Sequence, residues 1–189
     1  MELLRTLAKR THTQGVAILL LLAFVLSPFE AHAESSEKRE YALKAVFLYN
    51  FCQFIDWPSG SFAHDRAPII IGVMGSNPFG GLLSETVHGE LIRGRSIQLS
   101  PCQNPQDALK CHLLFISDEE MPKMTALLSV LANHSVVTVG ESEAFLEQGG
   151  MIALPSVENK IKLKVNLPAV RAAKVEMSSK LLRVADIKR

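Results

Sequence analysis

Four short apolar runs, Pro68–Met74 (PIIIGVM), His112–Ile116 (HLLFI), Val136–Val139 (VVTV) and Met151–Leu154 (MIAL), punctuate the middle of this chain, with helical segments between them. Apolar runs of this length, without polar alternation, read as strands buried on both faces, as in a parallel sheet covered by helices. Arg95–Leu99 alternates polar and apolar residues and reads as a half-exposed strand. Helices are expected at Gly81–Val87, Glu119–Ala132 and Ser142–Gln148, the second with Leu127, Leu128 and Leu131 inward and the third closed by Gly149-Gly150. This order predicts an α/β sandwich with a mainly parallel sheet. Lys160–Leu167 sets Ile161, Leu163, Val165 and Leu167 against Lys162, Lys164 and Asn166, which suits an edge position or an antiparallel partner. Pro168–Ala173 and Ser178–Ile187 read as two closing helical pieces.

From Tyr41 to about Ile55 the apolar residues follow helical spacing and continue nearly all round, so this helix is expected to pack on more than one side. Trp57-Pro58 stops it, since the residue before proline is biased away from helix.

The first 33 residues stand apart. Arg5, Lys9 and Arg10 precede an apolar run of 11 residues, Val16–Leu26, and Ala31-His32-Ala33 forms an A-x-A cleavage site. A membrane-spanning helix needs about 20 apolar residues, and this run stops at Ser27-Pro28. The reading is a secretory leader at 1–33, cleaved after Ala33, followed by one domain at 34–189. Cleavage leaves 17 cations and 17 acids. A net charge of zero offers no basic excess to neutralise phosphates, so nucleic acid is not an expected partner. A domain of this length buries roughly 68–70% of its unfolded surface, enough to fold without metals or dense crosslinking.

An exported chain meets an oxidising compartment, where thiols that can approach tend to pair. Cys102 and Cys111 lie nine residues apart around Gln103–Asp107, which reads as a turn, and they are the expected disulfide; three unpaired core cysteines is the alternative. Cys52 falls within the apolar helix as a small buried hydrophobe.

Chemistry is sparsely marked. The loop after the first strand carries Gly75, Ser76, Asn77 and Gly80, and a strand, a glycine-rich loop and a helix start can present N–H groups to an anion. It lacks G-x-G-x-x-G and the Lys-Ser/Thr of a phosphate loop, so tight-turn geometry is the competing explanation. Arg93 and Arg95 could clamp a carboxylate or phosphate, or simply face solvent at a turn. Ser117-Asp118 follows a buried strand; no G-x-S-x-G elbow exists, and helix capping is its expected role. The histidines are isolated singles without metal-ligand spacing. No catalytic residue, metal or cofactor is assigned, and the chain is read as a non-enzyme.

Four blocks carry a resemblance: Tyr41–Phe51 with Trp57-Pro58, Cys111–Ser117, Phe145–Ile152, and Lys162–Leu167 running on to Met177–Leu182. Together they resemble the YfiR/HmsC-like family of small exported bacterial proteins over nearly all of residues 40–187. The resemblance implies a periplasmic, Rossmann-like three-layer α/β domain that forms homodimers. It also implies a repressor that binds the periplasmic sensory domain of an inner-membrane diguanylate cyclase and holds down cyclic-di-GMP signalling and biofilm formation. A central cysteine of the family's regulatory member, which pairs with one on the first strand, is matched by Cys111. Here Ile71, Val73 and Met74 occupy that strand, leaving Cys102 as a substitute partner. A protein acting through a surface needs an apolar patch, for which the carboxyl region offers Val165, Leu167, Val170, Leu181 and Leu182, although the core is the commoner setting for apolar residues at this spacing. The alternative function is a periplasmic sensor of a small-molecule effector, a nucleotide or metabolite, using the Gly75–Gly81 loop without a cyclase partner.

Overall fold

A computed structural model of the chain describes residues 36–188. The expected leader and its cleavage site lie outside the described residues. Residues 40–189 form one compact unit, and the described residues before it, 36–39, are helical.

Helix α1 covers residues 36–54. There follow β1 (Ile55–Asp56), a 3-10 turn (Ser59–Ser61), β2 (Ile69–Met74), α2 (Leu82–Val87), β3 (Leu91–Ile92) and β4 (Arg95–Cys102). Next come α3 (Pro105–Ala108), β5 (Leu113–Ile116), a 3-10 segment (Asp118–Lys123), α4 (Met124–Leu131), β6 (Val137–Gly140) and α5 (Glu143–Glu147). The chain closes with β7 (Ile152–Ala153), β8 (Ser156–Val157), β9 (Lys160–Ile161), β10 (Lys164–Asn166), α6 (Leu167–Ala172), β11 (Glu176–Met177), α7 (Ser179–Val184) and β12 (Asp186–Lys188).

The fold is mixed α/β around a mostly parallel eight-stranded sheet of order β12-β10-β7-β6-β5-β2-β4-β3. The run β4-β2-β5-β6-β7 is parallel throughout. Antiparallel pairing enters at β3 against β4 and at β10 against β7. The expected mainly parallel sheet and its antiparallel margin are therefore present. The outermost strand beyond β10, however, is β12, which runs parallel to it. Connections leave β2 toward β4 and leave β5 toward β6, so the winding reverses between β2 and β5, where open α/β sheets place their ligand crevice.

Burial on both faces explains the central strands. Leu113 and Phe115 pack into one core cluster with α1, α2, α6 and α7, while Leu114 and Ile116 pack into another with α3, α4 and α5. Alternation along one strand thus feeds two helical layers. Phe115 is fully buried and meets Phe79 edge to face at 4.8 Å.

Several elements differ from the sequence expectation. The Gln103–Asp107 turn is helix α3, because Asn104 accepts N–H bonds from Gln106 and Asp107 at 2.9 and 3.1 Å and Pro105 is preset for the first turn. The Glu119–Ala132 helix starts as a 3-10 segment containing Pro122, and Leu128 is half-buried beside buried Leu127 and Leu131. Lys160–Leu167 is two strands, β9 in a hairpin with β8 and β10 in the main sheet. Ser178–Ile187 divides into α7, capped by Ser178, and strand β12. Helix α1 packs through Ala45, Leu48, Phe51 and Cys52, but Leu43 and Val46 are 48% and 42% exposed, so its apolar surround is open on one side.

Phe115→Ala should cost about 3–5 kcal/mol, because a fully buried ring leaves a cavity between two packed layers. Leu43→Ala should stay within about 0.5 kcal/mol. Urea unfolding of the two variants beside the parent measures both.

Candidate functional site: a buried thiol pair and an open groove

Cys102 ends β4 and Cys111 stands just before β5; the strand between them is β2. A Cβ placed on Gly72 of β2 would meet Cys111 Sγ at 2.5 Å and Cys102 Sγ at 2.8 Å. Gly72 is therefore the space both sulfurs occupy, a role for glycine within a strand where groups approach closely. The sulfurs lie 3.5 Å apart, unbonded, and both residues are 5% exposed. Hydrogen bonding to Cys111 holds the Cys102 thiol below its ordinary value, and the same contact, with desolvation, holds Cys111 well above. Burial pushes Cys52 up to about 12, as befits an inert core thiol.

The crevice between β2 and β5 is occupied by the chain itself. The backbone N–H of Ser76 donates to the Glu119 carboxylate, and Asn77 Oδ1 accepts from Phe79 N–H at 3.0 Å. Gly75 has φ +84°, and a Cβ there would collide with the Ser117 hydroxyl. Gly75, Ser76, Asn77 and Gly80 thus form a tight turn whose N–H at Ser76 already holds an internal anion. Ser117 is buried, and its hydroxyl has no partner among the described residues, so it caps nothing. Ser117 thus stands at the expected N-cap position, with Asp118, Glu119 and Glu120 in the first turn, but without the side-chain cap bond.

Arg93 and Arg95 are structural ties. Arg93 pairs with Asp56 and donates to Gln53 C=O at 3.2 Å, joining the turn after β3 to the end of α1. Arg95 donates to the carbonyls of His64 and Ala67 at 2.9 and 2.8 Å and lies over the Phe62 ring at 3.8 Å. These bonds tie part of each guanidinium to the chain's own carbonyls and carboxylate.

Of the residues expected to form a partner surface, Val165, Val170 and Leu181 are 0%, 1% and 5% exposed and belong to the core. They are buried because α6, α7 and β12 fold over β10. Leu167 and Leu182 are half-buried. An open apolar surface is present in a groove of about 560 Å³ lined by Phe47 of α1, Val157 and Ile161 of the β8–β9 hairpin, Leu163 and Val184. Val157 and Val184 are 44% and 72% exposed. Its charged rim carries Lys162 and Lys164; Lys164 pairs with Glu143 at 2.5 Å and Asp186 at 3.7 Å, and the Glu143 bond holds its ammonium above the ordinary value. Helix α1 is fixed to the sheet by Lys44, 2% exposed, which pairs with Glu40 at 2.6 Å and Glu141 at 2.5 Å. Lys44 is the sole charge between 41 and 55, the signal by which this anchor could be found in sequence.

His112 locks the strand entry. Its Nδ1 accepts from Ile70 N–H at 3.0 Å, so its Nε2–H donates to Ser61 C=O at 3.0 Å. Phe62 stacks on the ring at 4.4 Å. Burial holds its pKa below the ordinary value, with the nearby Arg95 charge acting the same way. The imidazolium has no acceptor for a second proton, because Ile70 already donates to Nδ1.

A folded pKa lowered below the unfolded 6.5 makes the unfolded state bind more protons near that pH. The His112 contribution should be complete above about pH 6.5 and erode as pH falls below it. His112→Phe should remove that slope and cost about 1–3 kcal/mol for the unpaired groups it leaves. Urea midpoints from pH 5 to 8 read both.

Residues 41–186 match the family described as YfiR/HmsC-like. No curated protein matches the chain. Among solved structures, a conserved domain protein from Vibrio cholerae O1 biovar eltor is similar at 11% identity and a TM-score of 0.46, covering 63% of this chain and 54% of that one. The chain thus spans about half the length of that protein. The family match runs from α1 to the first residue of β12, and on that extent the chain belongs to the YfiR/HmsC-like family.

Proposed function

We propose that the protein is a periplasmic negative regulator that docks on the periplasmic sensory domain of an inner-membrane diguanylate cyclase and lowers cyclic-di-GMP synthesis. In this reading residues 1–33 direct export, cleavage follows Ala33, and residues 34–189 act as one Rossmann-like three-layer domain. The family match is the observation that carries it: the YfiR/HmsC-like family is known for periplasmic regulation of diguanylate cyclases and is regulatory rather than catalytic. No helix among the described residues is long and apolar enough to cross a membrane, so contact with the cyclase falls to the protein's surface.

The docking face proposed is the groove of Phe47, Val157, Ile161 and Val184, together with the half-buried Leu167 and Leu182. Exposed apolar contacts rimmed by charge are the ordinary make-up of a protein interface. A repressor must bind the inactive state of its partner more tightly, by about 5.5 kcal/mol to move it from mostly on to mostly off. A groove of about 560 Å³ also falls within the usual range for small-molecule sites, which supports an effector sensed there rather than at the self-occupied Gly75–Gly81 turn.

Deleting the gene should raise cyclic-di-GMP, and restoring the parent should lower it. A folded Val157→Asp/Val184→Asp protein should fail to restore repression or to recover the cyclase in a pull-down. Unchanged cyclic-di-GMP on deletion, with no membrane protein recovered by the parent, defeats the reading.

Cys102 and Cys111 are proposed to pair on export. Cys102, the lower-pKa thiol, attacks the S–S bond of an exogenous disulfide oxidant as its thiolate, forming a mixed disulfide and releasing one thiolate of the oxidant. Cys111 then loses its proton and displaces the second, leaving the oxidant as a dithiol. The denatured, unreduced periplasmic protein should titrate one free thiol, Cys52, and three free thiols would end the pairing.

A further inference from the structure

The net charge of zero over residues 34–189 conceals an uneven distribution. Residues 160–188 carry eight cations against two acids, whereas residues 36–159 carry eight against fourteen, so the closing elements are the basic part of the fold. Asymmetry of this kind points to a surface that meets an anionic partner.

Six of these cations, Lys160, Lys162, Arg171, Lys174, Lys180 and Arg183, are exposed and have no ion-pair partner among the described residues. Exposure alone does not leave a cation unpaired, since Lys110 and Lys123, with side chains 70% and 72% exposed, hold Asp107 and Glu120. Glu158 and Glu176 are the exposed acids of the same stretch, and Asp186 is held by Lys164.

The fold turns these cations outward together. Val170 of α6 and Leu181 of α7 are buried in one core cluster, so the opposite sides of both helices face solvent from the same layer. Those sides carry Arg171, with Lys174 just beyond α6, and Lys180 with Arg183 on α7. The β8–β9 hairpin adjoins α7, because Lys162 and Val184 line one groove, and Lys160 stands opposite Val157 in the hairpin register. Spread over three elements, the charges make a broad field and not a pocket for a single anion.

We infer that this face docks peripherally on an anionic phospholipid surface. Each cation near such a surface adds its own attraction, which fades beyond a Debye length. A broad field of cations matches a laterally mobile array of headgroup phosphates. Val184, 72% exposed and next to Arg183, supplies an apolar contact at the headgroup boundary. No helix among the described residues is long and apolar enough to cross a membrane, so the contact is with the surface alone. This docking requires no cyclase and stands independently of the regulatory reading.

Co-sedimentation of the purified protein with vesicles tests it. Vesicles of equal parts phosphatidylglycerol and phosphatidylcholine should bind the parent, phosphatidylcholine alone should not, and added sodium chloride should release the bound protein. Lys180→Glu/Arg183→Glu should weaken binding at least tenfold, and Lys160→Glu/Lys162→Glu should do the same from the hairpin. Lys110→Glu/Lys123→Glu makes the same change in net charge elsewhere and should bind like the parent. Circular dichroism confirms that each variant is folded, and the two patch variants test the face separately. No binding to either vesicle, equal binding to both, or an equal loss in the Lys110/Lys123 variant overturns the inference. Binding of soluble polyglutamate without vesicle binding overturns it too, by placing an acidic polypeptide on this face.

Discussion

The burial of β5 on both faces sets the terms for everything around it. Leu113 and Phe115 on one side and Leu114 and Ile116 on the other are each at most 1% exposed, so two helical layers must close over a single strand. Neighbouring β2 and β6 inherit the same demand through their parallel pairing with β5. Where β2 lies between two cysteine-bearing segments, that dense packing leaves no volume for a side chain, and Gly72 yields its place to two sulfurs. The thiol pair is thus a product of sheet packing, enclosed in the same cluster as Leu114 and Ile116.

The same packing decides where the molecule can meet others. The crevice at the reversal between β2 and β5, the usual seat of a ligand, is filled by Ser117, the Gly75 turn and the Glu119 carboxylate. A negatively charged ligand there would have to displace an internal anion. The margin built from α1, the β8–β9 hairpin and β12 has the opposite character, since two-residue strands cannot cover the apolar side chains beside them. Val157 and Val184 stand open while Val165 and Val170 are enclosed. A regulator that works by contact needs surface of this kind on a rigid support, and Lys44, held between Glu40 and Glu141, supplies the support for α1.

The sheet's interior was legible because continuous apolar runs at β2, β5 and β6 have no stable setting other than burial on both faces. The nearness of Cys102 and Cys111 was legible from their spacing, although the intervening segment proved to be a helix. Other features depended on partners far along the chain. Arg93 and Arg95 resembled an anion clamp because their acceptors, Asp56 and the carbonyls of His64 and Ala67, are 28 to 37 residues away. Gly72 read only as one residue of the buried Pro68–Met74 strand, since nothing local reveals two sulfurs arriving from flanking strands. The burial of Val165 and Leu181 was not legible because β12, the strand beyond β10, consists of three residues with too little pattern to recognise.

The central claim is that this YfiR/HmsC-like protein acts by contact at the groove between α1 and the β8–β9 hairpin. Amide hydrogen exchange, with and without the purified periplasmic domain of the cyclase, tests it most directly. Slowed exchange confined to residues 43–48, Val157–Ile161 and Val184–Asp186 is the predicted result. Protection at the Gly75–Gly81 turn with none along the groove, or no change anywhere at saturating partner, would contradict it.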